Sequence, residues 1–360
     1  MALYAWCTAV VRRPQRNGLP GAHRLDDAAE GQFVGTQKES SCMPSYREAI
    51  VARFWRYQKE AFRDRPEIFE RPDMGNGRPP VFLHHAADSN VIMAPHISGV
   101  DRSRLLREIP PRERHRWFRS MSSSQVIALS VFGNLKVYGH LDLLNGLHDE
   151  QGRPIFGDET IISENFRMEY TVDSLEEPRP TSLDALITGK HSVAIECKLT
   201  EPEVGSCSRP NLTDKDSNYK KDFCDGTYTV QRGRTSRCSL TEIGVKYWDH
   251  IPRVFNWPAD VDWAPCPLRA NYQLVRNLLA VSVPSDSMLS RAGHVVLVYD
   301  ERNPAFQKDG KGNIAYEETK NALREPKRLR RCSWQQLARA IREEKCLSWL
   351  SGQLEAKYGI

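Results

Sequence analysis

A short motif near the middle of the chain, Glu196-Cys197-Lys198, contains the residue types best suited to catalysis. Alternate side chains of a β-strand share a face, so residues 193–199 place their apolar side chains on one face and Glu196 with Lys198 on the other. Charged groups on a buried strand cost free energy unless they are paired or bind a ligand. The motif therefore indicates a functional site, although an isolated acid and lysine at this spacing more often form a surface ion pair.

A second carboxylate is expected beside Glu196. Asp184 lies on the preceding predicted strand, and a three-residue loop at 189–191 would place it opposite Glu196 on the same face. Two carboxylates with open coordination positions are how proteins hold Mg²⁺. The ion lowers the pKa of a water nucleophile, and a nearby ammonium group stabilises the transition state. The pattern thus predicts phosphodiester hydrolysis.

The predicted elements around the motif follow a simple order. A helix, called helix A here, begins at the capping pattern Ser122 to Gln125 and closes at Gly133. Three strands follow, then a second helix, called helix B, and a last core strand. Their ranges are 166–172, 182–188 and 192–199 for the three strands, 272–281 for helix B and 294–299 for the last strand.

This order, with Asp184 and Glu196-Cys197-Lys198, resembles the PD-(D/E)XK superfamily of restriction-endonuclease-like nucleases. The resemblance implies an α/β fold with an αβββαβ core and a mixed central sheet, over roughly residues 110 to 305. Further stretches resemble an uncharacterised restriction-endonuclease-like family within that superfamily; they are residues 114–118, 123–125, 132–133, 181–184 and 272–277.

The resemblance implies a role for each site residue. Asp184 and Glu196 would bind Mg²⁺, with Mn²⁺ able to substitute, and Lys198 would be the catalytic lysine. Gln273 on helix B resembles the glutamine that some exonuclease-like members place near the site.

The chain also departs from the family pattern. Many members carry a glutamate on helix A, where this chain has Gln125, and Glu169 on the first strand is the nearest acidic substitute. Leu183 precedes Asp184 where the name-giving pattern has proline.

The insertion at residues 201–267 is polar and contains four cysteines. Four thiolates could close a tetrahedral Zn²⁺ site or hold a 4Fe–4S cluster, as in some exonuclease-like relatives. The spacing lacks a C-x-x-C pair, so independent buried thiols are an equal alternative. The four residues are Cys207, Cys224, Cys238 and Cys266.

Four regions are expected along the chain. They are a poorly ordered N-terminal tail at 1–42, a helical and loop region at 43–121, the nuclease core at 122–305 with its cysteine-bearing insertion, and a C-terminal helical extension at 306–360. Because Met43 directly precedes the first predicted helix, it is a candidate initiator alongside Met1.

Charge and composition indicate which partners the protein could bind. Lys and Arg number 51 against 46 Asp and Glu, so the net charge of +5 suits a polyanion such as DNA. Two basic clusters could contact the DNA backbone, or could be solvated faces. The predicted contacts to the DNA backbone are Arg114, Arg116, Arg119, Lys327, Arg328, Arg330 and Arg331.

No apolar run reaches the roughly 20 residues that span a bilayer, no export signal is evident and nine cysteines are too few for a disulfide scaffold, which favours the cytoplasm.

Three functional hypotheses follow. The first is a Mg²⁺-dependent nuclease that hydrolyses DNA. The second is a catalytically inactive nucleic-acid-binding or regulatory module of the same fold. The third is an iron–sulfur or zinc-containing exonuclease-like protein.

Overall fold

The computed structural model describes residues 44–71, 77–178, 180, 182–231, 233–283 and 293–360. The tail expected at residues 1–42 lies outside this part of the chain. Pro44–Ile360 form one unit, so the N-terminal region, the core and the C-terminal extension do not separate into independent bodies.

A five-stranded mixed sheet lies at the centre. The strands are β1 (Phe166–Thr171), β2 (Ser182–Ile187), β3 (Val193–Cys197), β4 (His294–Tyr299) and β5 (Leu329–Ser333). They follow the chain order in space, with β1 to β3 antiparallel and β4 and β5 parallel to β3. This architecture matches a restriction-endonuclease-like core and confirms the predicted α/β class.

Helices cover both faces of the sheet. The helices are α1 (Tyr46–Ala61), α2 (Gly99–Arg107), α3 (Ser124–Ala128), α4 (Asn134–Tyr138), α5 (Tyr219–Asp222), α6 (Ser239–Glu242), α7 (Tyr247–Val254), α8 (Leu268–Ala280), α9 (Lys311–Ala322), α10 (Trp334–Glu343) and α11 (Ser348–Tyr358). One core joins the face of β3 that carries Val193 and Ile195 to α1, α3, α4, α10 and α11, and the other joins the face carrying Ala194 to α7, α8 and α9.

Helix A begins where the sequence predicted, but its cap and its end differ. Ser123, and not Ser122, is the N-cap, and its hydroxyl accepts the N–H of Val126. The predicted capping box does not form because the Gln125 side chain bonds elsewhere in the site.

Gly133 does not end helix A, which was a wrong prediction. Its φ of −62° is helical, and the helix continues through a π-helical turn (Leu129–Gly133) into α4. A Cβ at Gly133 would lie 2.6 Å from the Leu105 side chain, so the glycine allows α2 to approach closely. Gly139, with φ +77°, ends the helix instead.

The C-terminal region is not only helical, contrary to the expectation for residues 306–360. It adds β5 at the edge of the sheet, beside β4, and α9 before it. The predicted capping box at Ser333 is present and begins α10. In the described part of the chain, no helix combines the length and the apolar character needed to cross a bilayer.

Candidate active site

The strand pairing of β2 and β3 places Asp184 and Glu196 side by side. Ala185 pairs with Ile195 and Ile187 with Val193, and the same register sets Asp184 level with Glu196. The N–H of Cys197 donates to Asp184 Oδ2 at 2.6 Å, which fixes this carboxylate against the end of β3. The predicted register between the two strands is confirmed.

Glu169 brings a third carboxylate to the same place. The register of β1 and β2, in which Met168 pairs with Ala185 and Tyr170 with Leu183, sets Glu169 level with Asp184. Its φ of +47° lies in the left-handed region, a conformation that costs a β-strand residue on the order of 1–3 kcal/mol.

Side chains from β2 and helix A hold the Glu169 carboxylate. Ser182 Oγ donates to Glu169 Oε2, and Gln125 Nε2 donates to Glu169 Oε1, both at 2.6 Å. Gln125 therefore does not act in place of the glutamate that many family members carry on helix A. It supports the acid on β1 that stands nearest to its position.

Lys198 lies between the acids and α8. Its Nζ is 2.8 Å from Glu196 Oε1 and donates to Gln273 Oε1 at 3.0 Å, and its side chain is 10% exposed. Burial alone would lower the pKa of Lys198, but Glu196, Glu201 and Asp184 outweigh burial and raise it. Lys198 is therefore protonated in this site.

Helix α8 presents an amide row to the acids. Gln273 Nε2 donates to Glu196 Oε1, and Asn277, one turn further on, donates to Glu196 Oε2, each at 2.7 Å. Arg276 in turn donates to Asn277 Oδ1 at 2.8 Å and lines the same cavity. The structure thus brings Gln273 to the site, and it adds Asn277, which the sequence argument missed.

The carboxyl groups repel one another in a buried setting. Burial raises the pKa of Asp184 well above its ordinary value, and the neighbouring Glu196 and Glu169 raise it further. Burial also raises the pKa of Glu169, although hydrogen bonds from Ser182 and Gln125 counteract part of the effect. Carboxyl groups in such a cluster share protons unless a cation joins them.

The donor set has the chemistry for a divalent cation, although no choice of one oxygen from each of the three acids brings all three oxygens within 4.8 Å of one another. Glu169, Asp184 and Glu196 supply only oxygen, the ligand type that Mg²⁺ prefers. When all three are ionised, they and the Lys198 ammonium leave an excess of two negative charges, which a divalent ion would balance.

These residues form one wall of a cavity of about 980 Å³. Basic and aromatic side chains of the N-terminal region line the rest of it. Trp117 is among them and is 55% exposed, with the Arg116 guanidinium 5.1 Å from its ring centre. The basic side chains, which together with Trp117 are called the cavity rim here, are Arg47, Arg71, Arg78, Arg116 and Arg119.

The predicted arginines of the N-terminal cluster divide into two groups. Arg116 and Arg119 line the cavity, and Arg119 also bonds Glu70 at 2.6 Å. Arg114 is outside the cavity wall, because it is paired with Asp88 at 2.8 Å and stacked over Phe118.

The second basic cluster, at residues 327–331, does not line the cavity. Arg328 is buried and donates to the carbonyl of Gly293 and to Ser282 Oγ, both at 2.7 Å. Arg330 bonds the carbonyl of Pro154, and Arg331 bonds Asn313. Lys327 is the most exposed, and its Nζ lies 3.7 Å from Glu325.

Another group of ligand-type side chains lies away from the cavity. His140, Glu344 and Cys346 form the one set of three or more in the described residues whose ligand atoms all lie within 4.8 Å of one another. Cys346 is exposed, and none of the three lines the cavity.

The sheet topology and the carboxylate–lysine site define the class of a restriction-endonuclease-like α/β protein. Residues 57–359 match the family model described as Restriction Endonuclease associating with ARP, and the chain belongs to this family. Neither the curated proteins nor the solved structures contain a significant match. Membership indicates a nuclease-like role, and restriction-endonuclease-like families act on DNA and usually use a divalent metal ion.

Proposed function

We propose that the protein is a Mg²⁺-dependent nuclease of the PD-(D/E)XK type that hydrolyses phosphodiester bonds of DNA. The convergence of Asp184, Glu196 and Lys198 on one wall of a basic cavity is the observation that carries the proposal. Mn²⁺ has the same preference for oxygen ligands and should substitute.

The acids supply the metal site in this proposal. Asp184 and Glu196 bind the ion, and Glu169 stands beside Asp184 as a third carboxylate. A bound divalent ion would supply Lewis-acid chemistry, lowering the pKa of water and offsetting charge on the phosphorus.

Lys198 and Gln273 prepare the site for a phosphate. The ammonium of Lys198 is held by Glu196 on one side and by the Gln273 amide oxygen on the other, so its direction is set before the substrate arrives. An ammonium fixed in this way stabilises the charge that develops on a phosphate oxygen without first having to reorganise. Gln273 is thus a positioning residue for Lys198.

The cavity rim supplies contacts for a polyanionic substrate. Arg116 and Arg119 can contact phosphates, and the exposed Trp117 offers a surface on which an unpaired base or a sugar can stack. The rim and the acids line the same cavity, so DNA held by the rim would lie beside the carboxylates.

Cleavage of plasmid, linear and single-stranded DNA with Mg²⁺ or Mn²⁺ tests this function. Asp184→Ala and Lys198→Ala should each abolish cutting, whereas Asp262→Ala, at an exposed residue paired with Arg237, should cut like the unmodified protein. DNA binding without cutting under all conditions would favour the inactive module. Cutting that persists in both site variants would exclude this site.

A further inference from the structure

Four cysteines of the insertion meet at one small cavity. Cys224 and Cys238 are buried, and Cys207 and Cys266 are half-buried. They come from four separate segments between β3 and α8, with 16, 13 and 27 residues between successive members. The absence of a C-x-x-C pair therefore does not prevent the thiols from meeting, because the fold brings distant loops together.

The backbone around each sulfur repeats one arrangement. The N–H of Gly226, two residues after Cys224, donates to Cys224 Sγ at 3.3 Å. A hydrogen bond to sulfur stabilises the thiolate over the thiol, and such bonds accompany metal-bound thiolates. Burial raises the pKa of the Cys207, Cys238 and Cys266 thiols, and the backbone N–H groups of Arg209, Leu240 and Leu268, each two residues after its cysteine, counteract part of this rise.

The spacing of the sulfurs bears on the size of the group they would bind. The group of His140, Glu344 and Cys346 is the one tight set among the described residues, so no three of the four insertion sulfurs lie within 4.8 Å of one another. A tetrahedral zinc site, with Zn–S near 2.3 Å, needs sulfurs about 3.8 Å apart. In a 4Fe–4S cluster each thiolate binds a different iron, so the sulfurs stand further apart.

The surroundings suit a group with negative charge. Arg209 and Arg269 line the same cavity as the four sulfurs. Four thiolates leave a metal centre of either kind with net negative charge, and nearby guanidinium groups offset it. Asp222 bonds Arg209 at 2.7 Å and offsets its charge, so Arg269 is the better placed of the two guanidinium groups to offset the centre.

We propose that Cys207, Cys224, Cys238 and Cys266 together bind a 4Fe–4S cluster. Each thiol loses its proton and each sulfur binds one iron of the cluster. The proposal stands on the arrangement of the insertion and does not depend on the nuclease function.

The cluster would fix the start of α8. Cys266 lies two residues before the helix, and the N–H of Cys207 donates to the carbonyl of Arg269 in its first turn at 3.0 Å. The N–H of Gln273 donates to the carbonyl of Gly205 at 3.2 Å. The same helix carries the amide that bonds Glu196, so the cluster would position the active site from outside it.

Metal and sulfide analysis of the full chain purified without oxygen tests the proposal. We expect about four irons and four acid-labile sulfides per chain, with the visible absorption of an iron–sulfur protein. Cys224→Ser and Cys266→Ser should each lose most of the iron, whereas Cys346→Ser, at the exposed cysteine outside the cluster, should keep it. Asp184→Ala should also keep its iron, which separates this result from any loss of cleavage.

Other outcomes would overturn the proposal. One zinc per chain, a folded chain without metal, or iron that survives in Cys224→Ser and Cys266→Ser would each contradict it. If the serine variants fail to fold, electron paramagnetic resonance of the reduced, unmodified protein still decides, because a 4Fe–4S cluster gives a signal and zinc does not.

Discussion

Two clusters of charged residues lie at opposite ends of the parallel strands and behave differently. At the carboxyl end of β3, Asp184, Glu196 and Lys198 face a cavity. At the amino end of β5, Arg328 and its neighbours are bonded to groups of the protein itself. Both clusters look like candidate functional sites when only their charges are considered.

The difference between the clusters lies in their partners. Arg328 and Arg330 donate to backbone carbonyls and a hydroxyl, so their charge serves the fold, whereas Arg331 and Lys327 are exposed. The carboxylates at β3 lie beside one another, and burial together with the neighbouring Glu196 and Glu169 raises the pKa of Asp184 even though hydrogen-bond donors surround the group. Function is therefore indicated by charge that the fold leaves uncompensated.

The sharpest contrast comes from Asp184→Asn, which should have the largest effect. Cleavage should fall by roughly 100-fold or more because a charged metal ligand is lost. The same variant should raise the Tm of the metal-free protein by about 1–3 °C at pH 8, because one repelling carboxylate is gone. Cleavage assays and thermal unfolding measure the two effects. A lower Tm in the absence of metal would contradict the picture of repelling acids.

Arg328→Met should show the reverse pattern. Removing this buried guanidinium leaves the Gly293 carbonyl and Ser282 Oγ without their donor, and the free energy of unfolding should fall by about 2–3 kcal/mol. DNA affinity should not change. Denaturant unfolding and DNA titration measure these effects, with the exposed Lys327→Ala as the control. Weaker DNA binding by a folded Arg328→Met variant would indicate that the β5 cluster contacts DNA.

The pH dependence of metal binding should separate the clusters further. A carboxyl group whose pKa is higher in the folded than in the unfolded protein stabilises the fold at low pH, and this contribution is lost as pH rises through the folded pKa. Burial and the neighbouring acids raise the pKa of Asp184 in this way. The metal-free protein should lose stability from the ordinary carboxyl range upward, and Mg²⁺ should restore it.

Thermal unfolding from pH 5 to pH 8, with and without Mg²⁺, measures this effect. The stabilisation by Mg²⁺ should grow with pH, by up to about 1.4 kcal/mol per pH unit for each proton released. The same titration with Asp184→Asn should show a weaker growth. Mg²⁺ stabilisation that is independent of pH would place the ion elsewhere.

The smallest effect is expected at the cavity rim. Arg116→Ala should weaken DNA binding several-fold and lower the salt dependence of the affinity by about one counterion, with little change in unfolding. Arg331→Ala, in the β5 cluster, should leave both unchanged. Fluorescence titration at several salt concentrations gives both numbers. Equal losses in the two variants would remove the distinction between the clusters.

The core of the site could be predicted because strands impose a period of two. The alternation within residues 193–199 separated Glu196 and Lys198 from the apolar face, and the short loop set Asp184 opposite Glu196. Gln273 was reached only through the family resemblance, and the structure shows why it matters, since its amide bridges Lys198 and Glu196.

Other features depend on long-range packing and left weaker signals. β5 was missed because Arg330 and Arg331 interrupt the apolar pattern of a buried strand. Asn277 could have been found as the residue one helical turn after Gln273, since i and i+4 share a face. The rim residues Arg47, Arg71 and Arg78 had no local sequence pattern that marked them, because only tertiary contact brings them beside the sheet.

Anomalous diffraction from crystals soaked in Mn²⁺ would locate the metal ion in the proposed site. We expect a strong peak within coordination distance of the Asp184 and Glu196 carboxylates, near Lys198. A peak only at His140, Glu344 and Cys346, or none at the carboxylates under conditions that support DNA cleavage, would contradict it.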